Sequence, residues 1–391
     1  MNPLSTGASA KPRVLFLVTE DWYFCLHRLS LAKAVRDRGY DVVVATRVTD
    51  DGPRIIAEGL KLVPIQLSRS SRNPFRDLAA IAELVRIYRE EKPDIIHHVA
   101  LKPILYGSWA AALTRQRVVV NAFAGLGYVF TETKWQARVA RGLIGLMLRS
   151  AFAFTSAFAM FENGDDYEVM RSRSVVTPQR SVIVRGSGVN EQKFAPAPEA
   201  PGDTVVLLAG RMLWDKGIGE FVRAAEIIRS RGIRARFVLA GRTDPSNPSS
   251  ISKKQLQEWQ SAGVVEWWGP RSDMPAVIAS AHVVALPSYR EGLPNGLLEA
   301  AACKRPVVAT NVPGCREIVR DGENGFLVPA KDAEALAEAL IKLIENPSLR
   351  QRMGECGRQM VLDAFTERHV FSQVLELYRK LFRDSRGTDP V

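Results

Sequence analysis

The sequence predicts an α/β fold in two parallel-sheet domains, and three observations carry that prediction. Strand-length apolar runs alternate with amphipathic helical stretches, a pattern that joins parallel strands through helices. At 391 residues the chain is too long for one typical core. A Pro- and Ala-rich stretch, Phe194 to Pro201, interrupts the alternation near the middle and reads as a linker. The division drawn from this is a first domain over residues 1–190, a linker over 191–203, a second domain over 204–365 and a terminal helix over 366–391.

The first domain opens with a strand from Arg13 to Thr19, a helix from about His27 to Arg38 stopped by Gly39, and a strand from Asp41 to Thr46. The loop between, T-E-D-W-Y-F-C, has no glycine, so the G-x-G-x-x-G dinucleotide fingerprint is absent and an NAD-dependent enzyme is disfavoured. A strand around Leu62 to Gln66 and a helix from Phe75 to Glu91 lead to a strand from Asp94 to His98 that ends in H-H-V-A-L-K-P. Open α/β sheets bind ligands beyond the carboxyl ends of their strands, which is where His97, His98 and Lys102 fall. A single histidine there is more often a satisfied core side chain; two adjacent ones before a Lys-Pro turn point to a site. After a strand from Arg117 to Ala122, the loop A-G-L-G-Y-V-F brings Gly125, Gly127 and Tyr128 to the same edge. Strands from Phe158 to Glu162 and Val182 to Arg185 close the domain.

In the second domain a strand from Val205 to Ala209 runs into Arg211 and Lys216 at a strand-to-helix loop. An arginine that binds bidentately and a lysine acting as a point charge suit a diphosphate, against the plainer alternative of two surface cations. Strands from Arg236 to Ala240 and Val264 to Trp268 end in Gly241-Arg242 and in Gly269, with Arg271 following. The strand Val283 to Leu286 is stopped by Pro287 and Ser288, and Gly292, Pro294 and Gly296 mark a loop before a helix that starts near Asn295 as its cap. The first N–H groups of that helix suit a phosphate. Glu291 lies in the loop and Glu299 in the helix, so they are not stacked i,i+4 partners and would touch different parts of one ligand. Two solvated glutamates are the alternative, which the apolar neighbours Leu297, Leu298 and Ala300 to Ala302 argue against for Glu299. Helices from Ala333 to Ile344, Leu349 to Leu362 and Glu367 to Arg383 complete the chain.

Composition narrows the partners. With 46% hydrophobic and 24% charged residues the chain is ordinary for a soluble protein, but a net charge of +11 favours a phosphorylated substrate or a membrane surface. Nucleic acid is not expected, because the basic residues are dispersed and no nucleic-acid-binding motif is present. Four widely spaced cysteines and an N-terminus without an apolar h-region imply a reducing, cytoplasmic setting. Between Lys134 and Arg149, Arg138 and Arg141 interleave with Val139, Leu143, Ile144 and Leu146. That periodicity fits a domain-packing helix and an interfacial membrane helix equally.

The stretch E-G-L-P-N-G-L-L-E, Glu291 to Glu299, resembles the E-x7-E motif of retaining glycosyltransferases of family 4. The resemblance extends to G-R-M-L-W-D-K-G (Gly210 to Gly217), W-G-P-R-S-D-M-P (Trp268 to Pro275), P-V-V-A-T-N-V-P-G-C-R-E-I-V (Pro306 to Val319) and D-G-E-N-G-F-L-V-P (Asp321 to Pro329), in that order. It implies the GT-B fold, two Rossmann-like domains whose parallel sheets face across a central cleft. It also implies transfer, with retention, of a hexose or N-acetylhexosamine from a nucleotide donor, a UDP-sugar above all. Arg211, Lys216 and the helix N-terminus at Asn295 would then hold the diphosphate, Gly241, Arg242 and Arg271 line the nucleotide pocket, Gly292, Leu293 and Pro294 bind the donor, Glu291 contact the sugar hydroxyls and Glu299 the ribose. The run D-I-I-H-H-V-A-L-K-P-I-L-Y-G, Asp94 to Gly107, is similar to the acceptor loop of relatives that build bacterial polysaccharides and lipid-linked oligosaccharides. Their usual H-x-H reads H-H-V here, so the acceptor-facing role falls to His98 or His97, with Lys102 and Tyr128 beside it. The implied acceptor is a polyprenyl-diphosphate-linked saccharide, met by peripheral contact at the inner face of the cell membrane. No Asp-x-Asp occurs, and neither a metal nor a cofactor is expected. A sugar-nucleotide epimerase and a non-catalytic sugar-nucleotide-binding protein of the same fold are the competing readings.

Overall fold

A computed structural model describes residues 11–67, 74–126, 135–245 and 247–387. The chain divides into two compact units. One comprises the described residues up to Phe161, Tyr167–Val184 and the helical residues from Phe371 onward; the other comprises Glu162–Asp166 and Arg185–Val370.

In the first unit the strands are β1 (Arg13–Glu20), β2 (Asp41–Arg47), β3 (Lys61–Pro64), β4 (Ile95–Val99), β5 (Val119–Phe123), β6 (Phe158–Phe161) and β7 (Ser181–Ile183). They form a parallel sheet in the order β3-β2-β1-β4-β5-β6-β7. Val14, Leu15, Phe16 and Leu17 are fully buried, as expected for a central strand covered by helices on both faces. The strand order reverses between β1 and β4, so the crevice at their carboxyl ends is where a ligand is accommodated in this topology.

Several local expectations change. Two helices, Asp21–His27 and Leu29–Asp37, replace the single one expected, because Arg28 adopts φ −132° and ψ −12°, outside helical geometry. The Lys-Pro turn after β4 is instead the first turn of a helix, Leu101–Leu113. Proline is tolerated at that end of a helix, where the missing N–H had no helical partner to lose.

The second unit holds β8 (Thr204–Ala209), β9 (Ala235–Ala240), β10 (Glu266–Gly269), β11 (Val283–Leu286), β12 (Val307–Thr310) and β13 (Gly325–Val328). These too are parallel, in the order β10-β9-β8-β11-β12-β13, with the reversal between β8 and β11. The loops that follow β8 and β11 therefore open into one crevice.

The stretch read as a linker is fastened to this second unit along its length. Arg350, 5% exposed, grips both carboxylate oxygens of Glu199 at 2.9 and 2.7 Å and caps the carbonyls of Leu343 and Ile344. Arg305 donates to the carbonyls of Ala197, Pro198 and Ala279, and Arg358 to those of Glu191, Phe194 and Ala302. His282 accepts from the Val205 N–H at Nδ1 and donates from Nε2 to the Ala200 carbonyl. Replacing Arg350 by alanine strips a partly exposed carboxylate of its partner and two helix-end carbonyls of their donor. The expected loss is about 1–2 kcal/mol of stability, read from the shift in a urea unfolding curve; a shift below about 0.5 kcal/mol would mean the fastening is not used.

Candidate active site

Two loops meet beyond the ends of β8 and β11. The first runs from Gly210 through a 3-10 turn, Trp214–Lys216, into the helix Ile218–Ser230. Its pivot is Gly217, at φ 70°, where a Cβ would lie 2.0 Å from the Pro287 carbonyl oxygen. Only glycine permits that approach, and it brings Lys216 against the second loop. Lys216 Nζ sits 2.5 Å from Glu291 Oε1, with 23% of the lysine side chain and 11% of the glutamate side chain exposed. Arg211 Nη1 is held 2.8 Å from Asp244 Oδ2. The two cations expected at this loop are thus each aligned by a carboxylate.

The loop after β11 leads into the helix Asn295–Ala302. Its N-cap residue is Pro294, at φ −77° and ψ 105°, so Asn295 is the first helical residue and not the cap that the sequence suggests. The Asn295 amide instead exchanges hydrogen bonds with Ser187 Oγ, at 2.9 and 3.2 Å. Leu293 is buried against Gly186, where a Cβ would come within 2.4 Å of the leucine. One helical turn further, Glu299 lies partly buried between Leu298 and Ala300. Burial pushes its carboxyl up to about 7, with the Lys193 charge opposing.

Around these loops, the Gly241 N–H donates to the Gly269 carbonyl and its carbonyl accepts from Trp267 Nε1. The Arg242 carbonyl receives the Met212 N–H, which fixes the β9 turn beside the Arg211 loop. Arg271 forms a two-point pair with Asp273, and both line a cavity of about 530 Å³ with Trp268, Ala276, Val277 and Ser280. Arg211, Lys216, Glu291 and the Asn295 helix therefore gather at one switch point, with Gly241 and Arg242 at its rim.

In the first unit the histidines behave differently from expectation. Both are fully buried. His98 receives the Tyr88 hydroxyl at Nε2, 2.9 Å, and donates from Nδ1 to Asn121 Oδ1, 2.7 Å. Asn121 in turn donates to Ser108 Oγ, 3.0 Å. A Cβ at Gly107 would stand 2.4 Å from His98 Nε2, so the ring is walled in by the Leu101–Leu113 helix. Burial carries its pKa down to about 4, the Asn121 bond pulling the other way. His97 bonds Tyr378 of the last helix at 2.5 Å and stacks on Phe16 at 5.1 Å. Burial, and then the Arg28 charge, hold its pKa well below the usual range. With both His98 nitrogens engaged and neither ring exposed, an acceptor-facing imidazole is not what this geometry presents. The physical reason is strand register: alternate residues of a central strand point into the two helical layers and not toward the crevice. Lys102 stands in the first turn of the Leu101–Leu113 helix, and Tyr128 lies outside the described residues.

Sequence reading passed over Asp244, Asn163, Asp166 and Arg290. Asn163-Gly-Asp-Asp carries a helix-cap signal, and the cap is present: Asn163 Oδ1 accepts the Asp166 N–H at 2.8 Å. Nothing in the sequence announces the other contacts of these residues.

Residues 203–346 match the family described as glycosyl transferases group 1, and residues 13–157 match glycosyl transferase 4-like proteins. Among curated relatives, the N,N'-diacetylbacillosaminyl-diphospho-undecaprenol alpha-1,3-N-acetylgalactosaminyltransferase of Campylobacter jejuni is 28% identical over 91% of this chain and 96% of its own. The UDP-Gal:alpha-D-GlcNAc-diphosphoundecaprenol alpha-1,3-galactosyltransferase of Escherichia coli is 24% identical over 78% of this chain and 79% of its own. Among solved structures, sucrose-phosphate synthase from Thermosynechococcus elongatus superposes with a TM-score of 0.77 at 22% identity, covering 96% of this chain and 100% of its own. The Anabaena protein HepE in complex with UDP and glucose gives 0.73 at 18% identity over 93% and 98%.

The buried histidines set a pH dependence. His98, and with it His97 and His282, titrate lower when folded than the value of about 6.5 they regain on unfolding. The unfolded chain then binds more protons across that interval, so stability is full above about pH 6.5 and falls as the pH drops toward about 4. Glu299 works in the opposite sense, its raised pKa favouring the folded state as pH falls below about 7. A Glu299→Gln variant should therefore show a lower unfolding midpoint at pH 5 than at pH 7.5; an equal or higher midpoint would contradict the burial of neutral imidazoles.

Proposed function

We propose, for a chain that belongs to the family 4-like glycosyltransferases of the GT-B fold, that a UDP-sugar is its donor, that a polyprenyl-diphosphate-linked saccharide is its acceptor, and that transfer proceeds with retention. The observation that carries the donor half of this reading is the Lys216–Glu291 pair, set beside Arg211 at the β8/β11 switch point. A diphosphate entering there gains Arg211, Lys216 and the amino end of the Asn295–Ala302 helix. As the glycosidic bond breaks, negative charge grows on the leaving diphosphate, so those groups stabilise the transition state more than the ground state. Lys216 exchanges its carboxylate partner for the diphosphate, and Glu291 is released to accept hydrogen bonds from the sugar hydroxyls. Glu299 takes the ribose, and the turns at Gly241-Arg242 and Arg271 flank the base. The leaving phosphate oxygen accepts the proton of the incoming hydroxyl on the face it departs from, which gives retention.

The acceptor half draws support from the substrates for which the Campylobacter jejuni and Escherichia coli relatives are named, both diphosphoundecaprenol-linked sugars. In the first unit the helix Trp135–Phe154 exposes Trp135 at its start, 72%, and Leu143 and Leu146, 59% and 62%, between the basic residues Arg141 and Arg149. No helix among the described residues is long and apolar enough to cross a membrane. A surface of that composition suits peripheral contact with an anionic bilayer, at the face where such acceptors are elongated. Lys102 and Tyr128 are proposed to bind the acceptor, and the buried His97 and His98 to hold the β4 end in shape for it.

A panel of UDP-sugars offered with a polyprenyl-diphosphate-saccharide extract tests the chemistry. UDP release and lipid-linked product should rise together, fall about 10²- to 10³-fold in Glu291→Ala, and need more donor in Glu299→Ala; release without lipid product would sink the acceptor assignment. Flotation with anionic vesicles tests the surface. Binding should persist in part at 0.5 M salt and drop in Leu143→Ser/Leu146→Ser, whereas complete loss in salt would leave only screened charge.

A further inference from the structure

Glu291 is carried by neither a helix nor a strand, and its Lys216 partner is the group that the proposed diphosphate takes away. Something else must hold it. Its two neighbours supply the answer, because both are anchored by the short segment Glu162–Asp166 that belongs to the second unit. Asn163 Nδ2 donates to the Gly292 carbonyl at 2.7 Å, and Asp166 pairs with Arg290. Asn163 and Asp166 are both fully buried. On the other side Gly314, at φ 76°, brings its backbone so close that a Cβ would lie 2.2 Å from the Gly292 oxygen and 2.9 Å from the Glu291 oxygen. The two neighbours of Glu291 are thus anchored without use of its carboxylate, Arg290 through its guanidinium and Gly292 through its carbonyl.

The segment is itself secured. The Gly164 N–H donates to Glu317 Oε1 at 3.0 Å, Glu317 Oε2 accepts from Arg185 at 2.7 Å, and Arg316 pairs with Asp165 at 2.9 Å. Helix capping does not account for Asn163: the cap uses its Oδ1, while Nδ2 is committed to a carbonyl 129 residues away in sequence. A serine at this position could still cap but could not reach Gly292.

We infer that Asn163 and Asp166 are positioning residues for transfer, anchoring the Gly292 carbonyl and the Arg290 guanidinium on either side of Glu291 so that its carboxylate stays aimed once the diphosphate has taken Lys216. The inference rests on the reading of Glu291 given above. A displacement of the order of 1 Å in such a group lowers turnover by about 10²-fold, so loss of one clamp should be visible in rate before it is visible in donor affinity.

The test uses Asn163→Ser and Asp166→Asn in the full chain, with Glu291→Gln in parallel and combined with Asn163→Ser. Turnover is followed with whichever UDP-sugar of the panel gives product, UDP affinity by calorimetry, and hydrogen exchange over residues 288–295 without any substrate. Expected are a fall in kcat of about 10- to 100-fold in Asn163→Ser, UDP affinity within about twofold of the parent, and faster exchange confined to 288–295. No further loss should follow when Asn163→Ser is added to Glu291→Gln, since both act through one carboxylate. Parental turnover, unchanged exchange in that loop, or multiplying losses in the double variant would each overturn the proposal. So would UDP affinity falling in step with turnover, which would assign the segment a general folding role. If Glu291→Gln keeps parental turnover, the reading of Glu291 fails instead, and exchange over 288–295 alone decides the clamp.

Discussion

The Lys216–Glu291 pair exists because two backbones approach more closely than any side chain would allow. Gly217 lies on the Pro287 carbonyl, and that contact sets the distance between the loop after β8 and the loop after β11. The parallel sheet delivers both loops to the same end, and the reversal of strand order between β8 and β11 leaves a crevice between them. Every charged group of the site inherits its place from this arrangement. A larger residue at position 217 would separate the lysine from the glutamate, and with them the proposed diphosphate and sugar sites.

Four cations in and beside the proposed site are each held by a carboxylate: Arg211 by Asp244, Lys216 by Glu291, Arg271 by Asp273 and Arg290 by Asp166. Pairs of this kind keep long side chains ordered, and in the proposed reading the carboxylates of Arg211 and Lys216 are exchanged for, or supplemented by, an incoming anion. The pairs differ in what exchange would do. Those of Arg211 and Lys216 lie where a diphosphate is proposed to bind and are partly exposed, whereas Asp166 is fully buried and its pairing anchors the Arg290 side chain beside Glu291. The donor site thus combines groups that can change partners with groups that cannot.

The first unit uses polar burial for a different purpose. Tyr88, His98, Asn121 and Ser108 form a satisfied chain inside the core, and His97 joins β4 to the last helix through Tyr378. Buried networks of this kind select one packing arrangement, since any slip leaves a polar atom without a partner. Here they fix the carboxyl end of β4, the strand that borders the switch point of this sheet.

Much was legible in the sequence. The alternation of apolar strands and amphipathic helices gave the parallel α/β architecture, because burial of both sheet faces leaves a strong signal in composition and period. The Gly210 to Gly217 and Glu291 to Glu299 stretches pointed to the two loops that meet beyond β8 and β11, since glycines and charges at strand ends have few other reasons to occur together. What the sequence could not decide was direction and partnership. Whether His97 and His98 face a crevice or a core depends on strand register and on the helix Leu101–Leu113, and Asn295 lost the cap position to Pro294 through loop geometry. The linker is fastened by Arg305, Arg350 and Arg358, and Asn163 finds its carbonyl 129 residues downstream. Such long-range contacts leave no local pattern, because a hydrogen bond between distant residues constrains two positions and no spacing; only the folded chain assigns them.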